Sequence, residues 1–150
     1  MSKSAASQRQ TGRVGQLLFV AQQAAQALAI ERLEPLGLSP RAWGVLSTLA
    51  ESGPLTQIEL ATTMAIDRTA MVYLIDELEN AGLVRRVRGA QDRRTFAIHL
   101  TDSGRTLQRK AAAQMHQAAQ TLLAPLDTGE QEQLRALLGR LVEHWQTTGT

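Results

Sequence analysis

Cysteine is absent from the 150 residues, which excludes disulfides, thiol redox sensing and zinc–thiolate sites. Aromatics are scarce, with two Phe, two Trp and one Tyr, so no aromatic-lined pocket is claimed. No apolar run approaches the roughly 18 residues needed to cross a bilayer. The polar opening MSKSAASQRQTGR has no apolar core of the kind a signal peptide carries. Together these absences predict a cytoplasmic protein with no membrane partner. A dominant charge sign is missing too: sixteen Lys and Arg face fourteen Asp and Glu, a formal net charge of +2. Any preference for a polyanion must therefore come from how the charges are distributed.

Catalytic frames are also lacking. His99, His116 and His144 show no metal-ligand spacing, Ser52-Gly53 and Ser103-Gly104 lack the G-x-S-x-G setting of a nucleophile elbow, and there is no phosphate-binding loop or dinucleotide fingerprint. No catalytic residue, metal or cofactor is assigned, and an enzyme is not expected.

Forty-three per cent hydrophobic content is enough for a globular core. Residues 1–12, rich in Ser and Gln and without periodicity, read as a disordered tail, and 13–150 as a single domain. Val14, Leu17, Leu18, Ala21, Ala25 and Leu28 recur at helical spacing, predicting a long first helix over 13–34 that Pro35 and Gly37 break. Ser39-Pro40 starts a second helix as cap and first turn. Thr56-Gln57-Ile58-Glu59 is a capping box, and Asp67 caps the helix that follows, whose inner face is Met71, Leu74, Ile75 and Leu78. Gly82 stops that helix. Leu83–Arg88 and Thr95–Leu100 alternate as strands around a loop marked by Gly89 and Asp92. Two more helices, broken at Pro125, fill 102–146. The predicted fold is mainly α with a small β-wing: a winged helix-turn-helix over 39–101, flanked by N- and C-terminal helices.

Within 56–101, five of the basic residues (Arg85, Arg86, Arg88, Arg93 and Arg94) fall in ten positions, while the acids Glu59, Asp67, Asp76, Glu77 and Glu79 lie upstream. A basic finger beside a helix that fits the major groove is a device for reading double-stranded DNA. The flanking helices are too elongated and too apolar to cover the reader alone. Pairing with a second copy would bury them and set two recognition helices about 34 Å apart, one DNA turn. A monomer with a three-helix lid is the alternative.

The segment LSPRAWGVLSTLAESGPLTQIELATTMAIDRTAMVYLIDELENAGLVRRVRGAQDRRTFAIHLTDSG resembles the MarR family of bacterial transcription regulators, most specifically in DELENAGLVRR and QDRRTFAIHLTDSG. The resemblance implies a homodimeric winged-helix protein that usually represses pseudo-palindromic promoters, and whose members are often released by a small aromatic or anionic effector. An activator, or a winged-helix protein-interaction module without strong operator specificity, is the alternative.

Several residues are candidates for DNA contact. Arg68 can bond guanine O6/N7 or a phosphate, Thr69 a base edge or phosphate, and Ala70 and Val72 a thymine methyl. Tyr73 stands where family members often carry a basic residue. The resemblance assigns Arg94 to the minor groove, where a narrow A·T-rich tract attracts guanidinium, with Asp92 fixing that guanidinium. Arg86, Arg88 and Arg93 read as phosphate partners or strand-face charges. Gln57 offers side-chain and backbone donors to a phosphate. For an effector, the resemblance points to the junction of dimer helices and reader, where Phe19, Trp43 and Leu46 are apolar candidates and Arg41 an anion partner.

Overall fold

The computed structural model describes residues 2–148, with side chains from residue 10 onward. In chain order the elements are α1 (Ser2–Leu33), α2 (Pro40–Ser52), β1 (Leu55–Thr56), α3 (Gln57–Thr63), α4 (Arg68–Asn80), β2 (Val84–Arg88), β3 (Phe96–Leu100), α5 (Asp102–Leu123) and α6 (Thr128–Thr148). The strands form one antiparallel sheet in the order β1-β3-β2, with Ile98 of β3 opposite both Leu55 and Arg86.

Local chemistry explains most of the boundaries. Pro35 and Gly37 end α1 in a short 3-10 turn, which Gly37 closes in the left-handed region. The Ser39 hydroxyl accepts from the Ala42 N–H at 3.1 Å, and Pro40 supplies the first turn of α2. Both halves of the capping box form at α3: Thr56 N–H donates to Glu59 at 2.7 Å and Glu59 N–H to the Thr56 hydroxyl at 3.2 Å. Asp67 caps α4 by accepting from the Ala70 N–H at 3.0 Å. That helix closes at Ala81, and Gly82 follows it at φ 72°. Between α3 and α4, Ala65 is held at φ 51°, a conformation that costs a non-glycine residue about 1–2 kcal/mol. The turn keeps it because Ile66 N–H reaches the Ala61 carbonyl at 2.9 Å while Ile66 packs against the core.

Leu33, Val45, Leu46, Leu60, Met71, Ile75, Val84 and Ile98 are fully buried and tie the end of α1 to α2, α3, α4 and the sheet. Each such side chain contributes about 1.5–3 kcal/mol of burial, so this cluster fixes the reader as one body. The C-terminal half of α1 lies along α5, with Ala29 and Ala111 buried in the same core and Arg32 donating to Gln117 at 2.9 Å. Gly104 seats the start of α5 against the Leu83 backbone, which a side chain there would strike.

Three expectations change. Residues 2–12, predicted to be disordered, continue α1 as helix, and Met1 lies outside the described residues. The strand β1 was not foreseen, because two residues carry no alternation, and its pairing comes from β3. The final helix runs two residues past the expected 146, to Thr148.

Candidate nucleic-acid interface

The inner stripe of α4 (Met71, Leu74, Ile75 and Leu78) is buried in the core. Helical geometry then turns Arg68, Thr69, Val72, Tyr73, Asp76 and Glu77 outward, and all six are exposed. Tyr73 is 72% exposed and Val72 40% exposed. Ala70 is half-buried beneath the Asp67 cap. The predicted reading face is thus presented as a face. Among the described residues nothing bonds the Arg68 guanidinium, so all five of its N–H donors are available.

The hairpin is braced from within. Arg88 lies over the Phe96 ring at 5.1 Å and donates to the Arg93 carbonyl at 3.0 Å. At the tip, Asp92 accepts from the backbone N–H of Arg94 at 2.9 Å, while its own carbonyl accepts from the Thr95 hydroxyl at 3.1 Å. This corrects the expectation that Asp92 holds the Arg94 guanidinium. The carboxylate instead closes the turn through the backbone, a local bond that short acidic side chains make readily. The guanidinium groups of Arg93 and Arg94 have no partner among the described residues, and both side chains are exposed.

Arg86 departs furthest from its expected role. Its Nη2 donates to Asp76 at 2.5 Å, its Nη1 to Glu79 at 2.7 Å and its Nε to Gln57 at 3.0 Å. Its backbone N–H adds a bond to Glu79 at 2.9 Å. Burial pulls the Arg86 pKa down, but hydrogen bonds and charge from Asp76 and Glu79 outweigh it and hold the guanidinium more firmly protonated than usual. With its side chain only 22% exposed, Arg86 is a crosslink between β2, α4 and α3 and not a free cation. Gln57, the other expected phosphate contact on this side, is one of its partners. Asp76 and Glu79, two of the acids upstream of the basic run, are the other two. The signal that could have found them was a basic strand position following a helix that bears carboxylates three residues apart, Asp76 and Glu79.

Of the effector candidates, Arg41 lines an opening. It borders a cleft of about 540 Å³ with Gln22, Gln26, Met64, Ile66 and Met115, where α1, α5 and the α3–α4 turn meet. Leu46 is fully buried and Trp43 is packed against the core, so both are structural. Phe19 is 63% exposed on α1 and does not border this cleft. The spacing of apolar residues in α2 could not separate core from cleft, because both are apolar.

A second opening of about 850 Å³ lies between α1 and α6, bordered by Val14, Leu18, Leu134, Leu137, Leu138 and Leu141. No described residue of α6 is buried, and Trp145 is 68% exposed. Among the described residues no group of three His, Asp or Glu could hold a metal ion, and no helix is long and apolar enough to cross a membrane.

The arrangement has known counterparts. The MarR family model matches residues 36–95. The chain is similar to a probable transcriptional regulator from Pseudomonas aeruginosa, with 33% identity and a TM-score of 0.77 over 85% of this chain and 96% of that one. It is also similar to CouR from Rhodococcus jostii RHA1, solved bound to p-coumaroyl-CoA, with 29% identity and a TM-score of 0.78 over 86% of this chain and 91% of that one. A mutant of MarR from E. coli, solved with operator DNA, shares 25% identity and a TM-score of 0.78 over 86% and 93% of the two chains.

Proposed function

Because this chain belongs to the MarR family, we propose that it is a homodimeric, sequence-specific reader of double-stranded DNA that represses promoters by occupying them. The observation that carries the reading is the pairing of an exposed α4 face bearing Arg68 and Thr69 with a wing whose tip guanidinium groups have no partner among the described residues. Charge-assisted bonds from such groups suit phosphates and guanine edges. The relative from E. coli solved with operator DNA supports the same use of the fold.

Dimerisation is supported by the ends of the chain. Val14, Leu17, Leu18, Leu137, Leu141 and Trp145 expose an apolar surface on α1 and α6 that one copy leaves uncovered. Soluble proteins seldom leave so much contiguous apolar surface in water. A second copy meeting it through a two-fold axis would also place two reader units for a pseudo-palindrome.

Release by an effector is supported by the cleft beside Arg41. Its walls come from α1, α5 and the α3–α4 turn, so one ligand there bears on both the dimer helices and the reader. An anionic compound, such as the acyl-CoA that CouR was solved with, would find a cation in Arg41 and apolar walls in Met64, Ile66 and Met115. Binding that favours one spacing of the two readers shifts the population away from the DNA-bound form. Exposed Tyr73 and Val72 favour the alternative of a protein-interaction module.

Footprinting of genomic fragments retained by the purified protein separates the two readings. Two protected blocks about 10 base pairs apart, centre to centre, with two chains per duplex by sedimentation, are expected. Uniform, salt-labile protection without blocks would favour the interaction module.

A further inference from the structure

Three elements of the reader converge on one guanidinium. Arg86 of β2 reaches Asp76 and Glu79 on α4 and Gln57 at the start of α3, and its own N–H returns to Glu79. We propose that Arg86 is a positioning residue for DNA reading: it locks the wing to α4 and turns the Gln57 carboxamide so that its N–H donors point at a phosphate. The proposal rests on the DNA-reading function above.

The chemistry fixes the direction of the amide. A guanidinium carries donors only, so the end of the Gln57 amide that meets Arg86 must be its oxygen. The NH₂ end is then left over, and among the described residues nothing bonds it. Phosphate oxygens only accept, and NH₂ is the end they can use. Without Arg86 the amide turns freely, and half of its orientations would present oxygen to oxygen.

Charge gives the lock a second effect. Asp76 and Glu79 sit on the helix that approaches the DNA, and unpaired carboxylates there would repel phosphates. Arg86 neutralises part of that charge at 2.5 and 2.7 Å. Three of its five donors are spent inside the protein, so a direct phosphate contact is not its main use.

The test uses the full chain, a duplex recovered by selection from a random library, and binding curves taken across a salt series. Gln57→Glu keeps an oxygen facing Arg86 but replaces the outward donors with an anion. Its melting temperature is expected at or above wild type, with affinity lowered about tenfold. Arg86→Gln is expected to lose about tenfold in affinity while the slope of log K against log salt moves by less than half of the roughly 0.9 that one lost phosphate contact produces. Wild-type affinity in Gln57→Glu would overturn the proposal, as would a full slope loss of about 0.9 in Arg86→Gln. A lower melting temperature in Arg86→Gln with unchanged affinity of the folded protein would reduce Arg86 to a structural brace and also overturn it. If wild type selects no duplex, the DNA-reading function fails, and hydrogen exchange then judges the lock by itself. Faster exchange of the β2–β3 amides in Arg86→Gln supports it, and unchanged protection overturns it. Should Arg86→Gln not fold, Gln57→Glu decides alone.

Discussion

Replacing Gly104 with alanine sets two opposed effects against each other. Alanine is favoured over glycine inside a helix by about 1 kcal/mol, so by propensity alone the change stabilises α5. Geometry opposes it. The new Cβ would lie 2.0 Å from the Leu83 carbonyl oxygen, 3.0 Å from its carbon and 3.3 Å from a Leu100 methyl. The backbone cannot swing aside freely, because that oxygen accepts the Thr101 N–H at 3.1 Å and the Thr101 hydroxyl holds the neighbouring Gly82 carbonyl at 2.6 Å. Moving α5 away by more than an ångström strains the packing by about 1–3 kcal/mol and weakens two hydrogen bonds worth about 1 kcal/mol each. With about half of each bond lost, the net expectation is a loss of about 1–3 kcal/mol, read as a lower urea midpoint with an unchanged slope at fixed protein concentration. Gly139→Ala is the control: among the described residues nothing lies within 4 Å of its Cβ, so it should gain up to about 1 kcal/mol. If Gly104→Ala proves as stable as Gly139→Ala, the close seat of α5 on the reader is refuted. That seat joins α5 to Leu83, between the end of α4 and the root of the wing.

Three further outcomes are expected. Arg94→Ala removes a guanidinium with no partner among the described residues, so it should weaken operator binding and flatten the salt slope by about 0.9; an unchanged slope would take the wing tip out of the interface. Leu141→Glu places a charge in the middle of the apolar α1–α6 face, where Leu141 is 55% exposed in the single chain. Sedimentation should then show monomer, whereas an intact dimer would mean that this face is not the interface. The Glu59 carboxyl is lowered from its ordinary pKa by the Thr56 backbone N–H and then by the Thr56 hydroxyl. A depressed folded-state pKa gives stability that is present above the unfolded value of about 4.3 and lost as pH falls through the folded one. Wild type should therefore exceed Glu59→Gln in stability near neutral pH, with the gap closing on acidification. A gap constant down to about pH 3 would refute the capping contribution.

Much of this architecture is legible in the sequence because local chemistry sets it. The Ser39, Thr56 and Asp67 caps all bond as their residue types require, and the α4 stripe of Met71, Leu74, Ile75 and Leu78 follows directly from its spacing. What escaped is set by partners distant in sequence. Arg86 reads as one more arginine in a basic run until folding brings Gln57, twenty-nine residues away, to its Nε. Leu46 and Trp43 share their apolar character with any cleft wall, and only packing assigns them to the core. A spacing of two residues does not distinguish the backbone of Arg94 from its side chain, and the backbone N–H is the donor Asp92 takes. The Ser- and Gln-rich start of α1 shows no apolar period, so helix there could not be read from pattern.

The central claim is that this protein selects a two-fold symmetric DNA sequence. Selection from a randomised duplex library at moderate salt, using the purified full chain, tests it most directly. Enrichment of a pseudo-palindrome with half-sites about 10 base pairs apart is the predicted result. Recovery of no motif, with only weak and salt-sensitive binding, would contradict it.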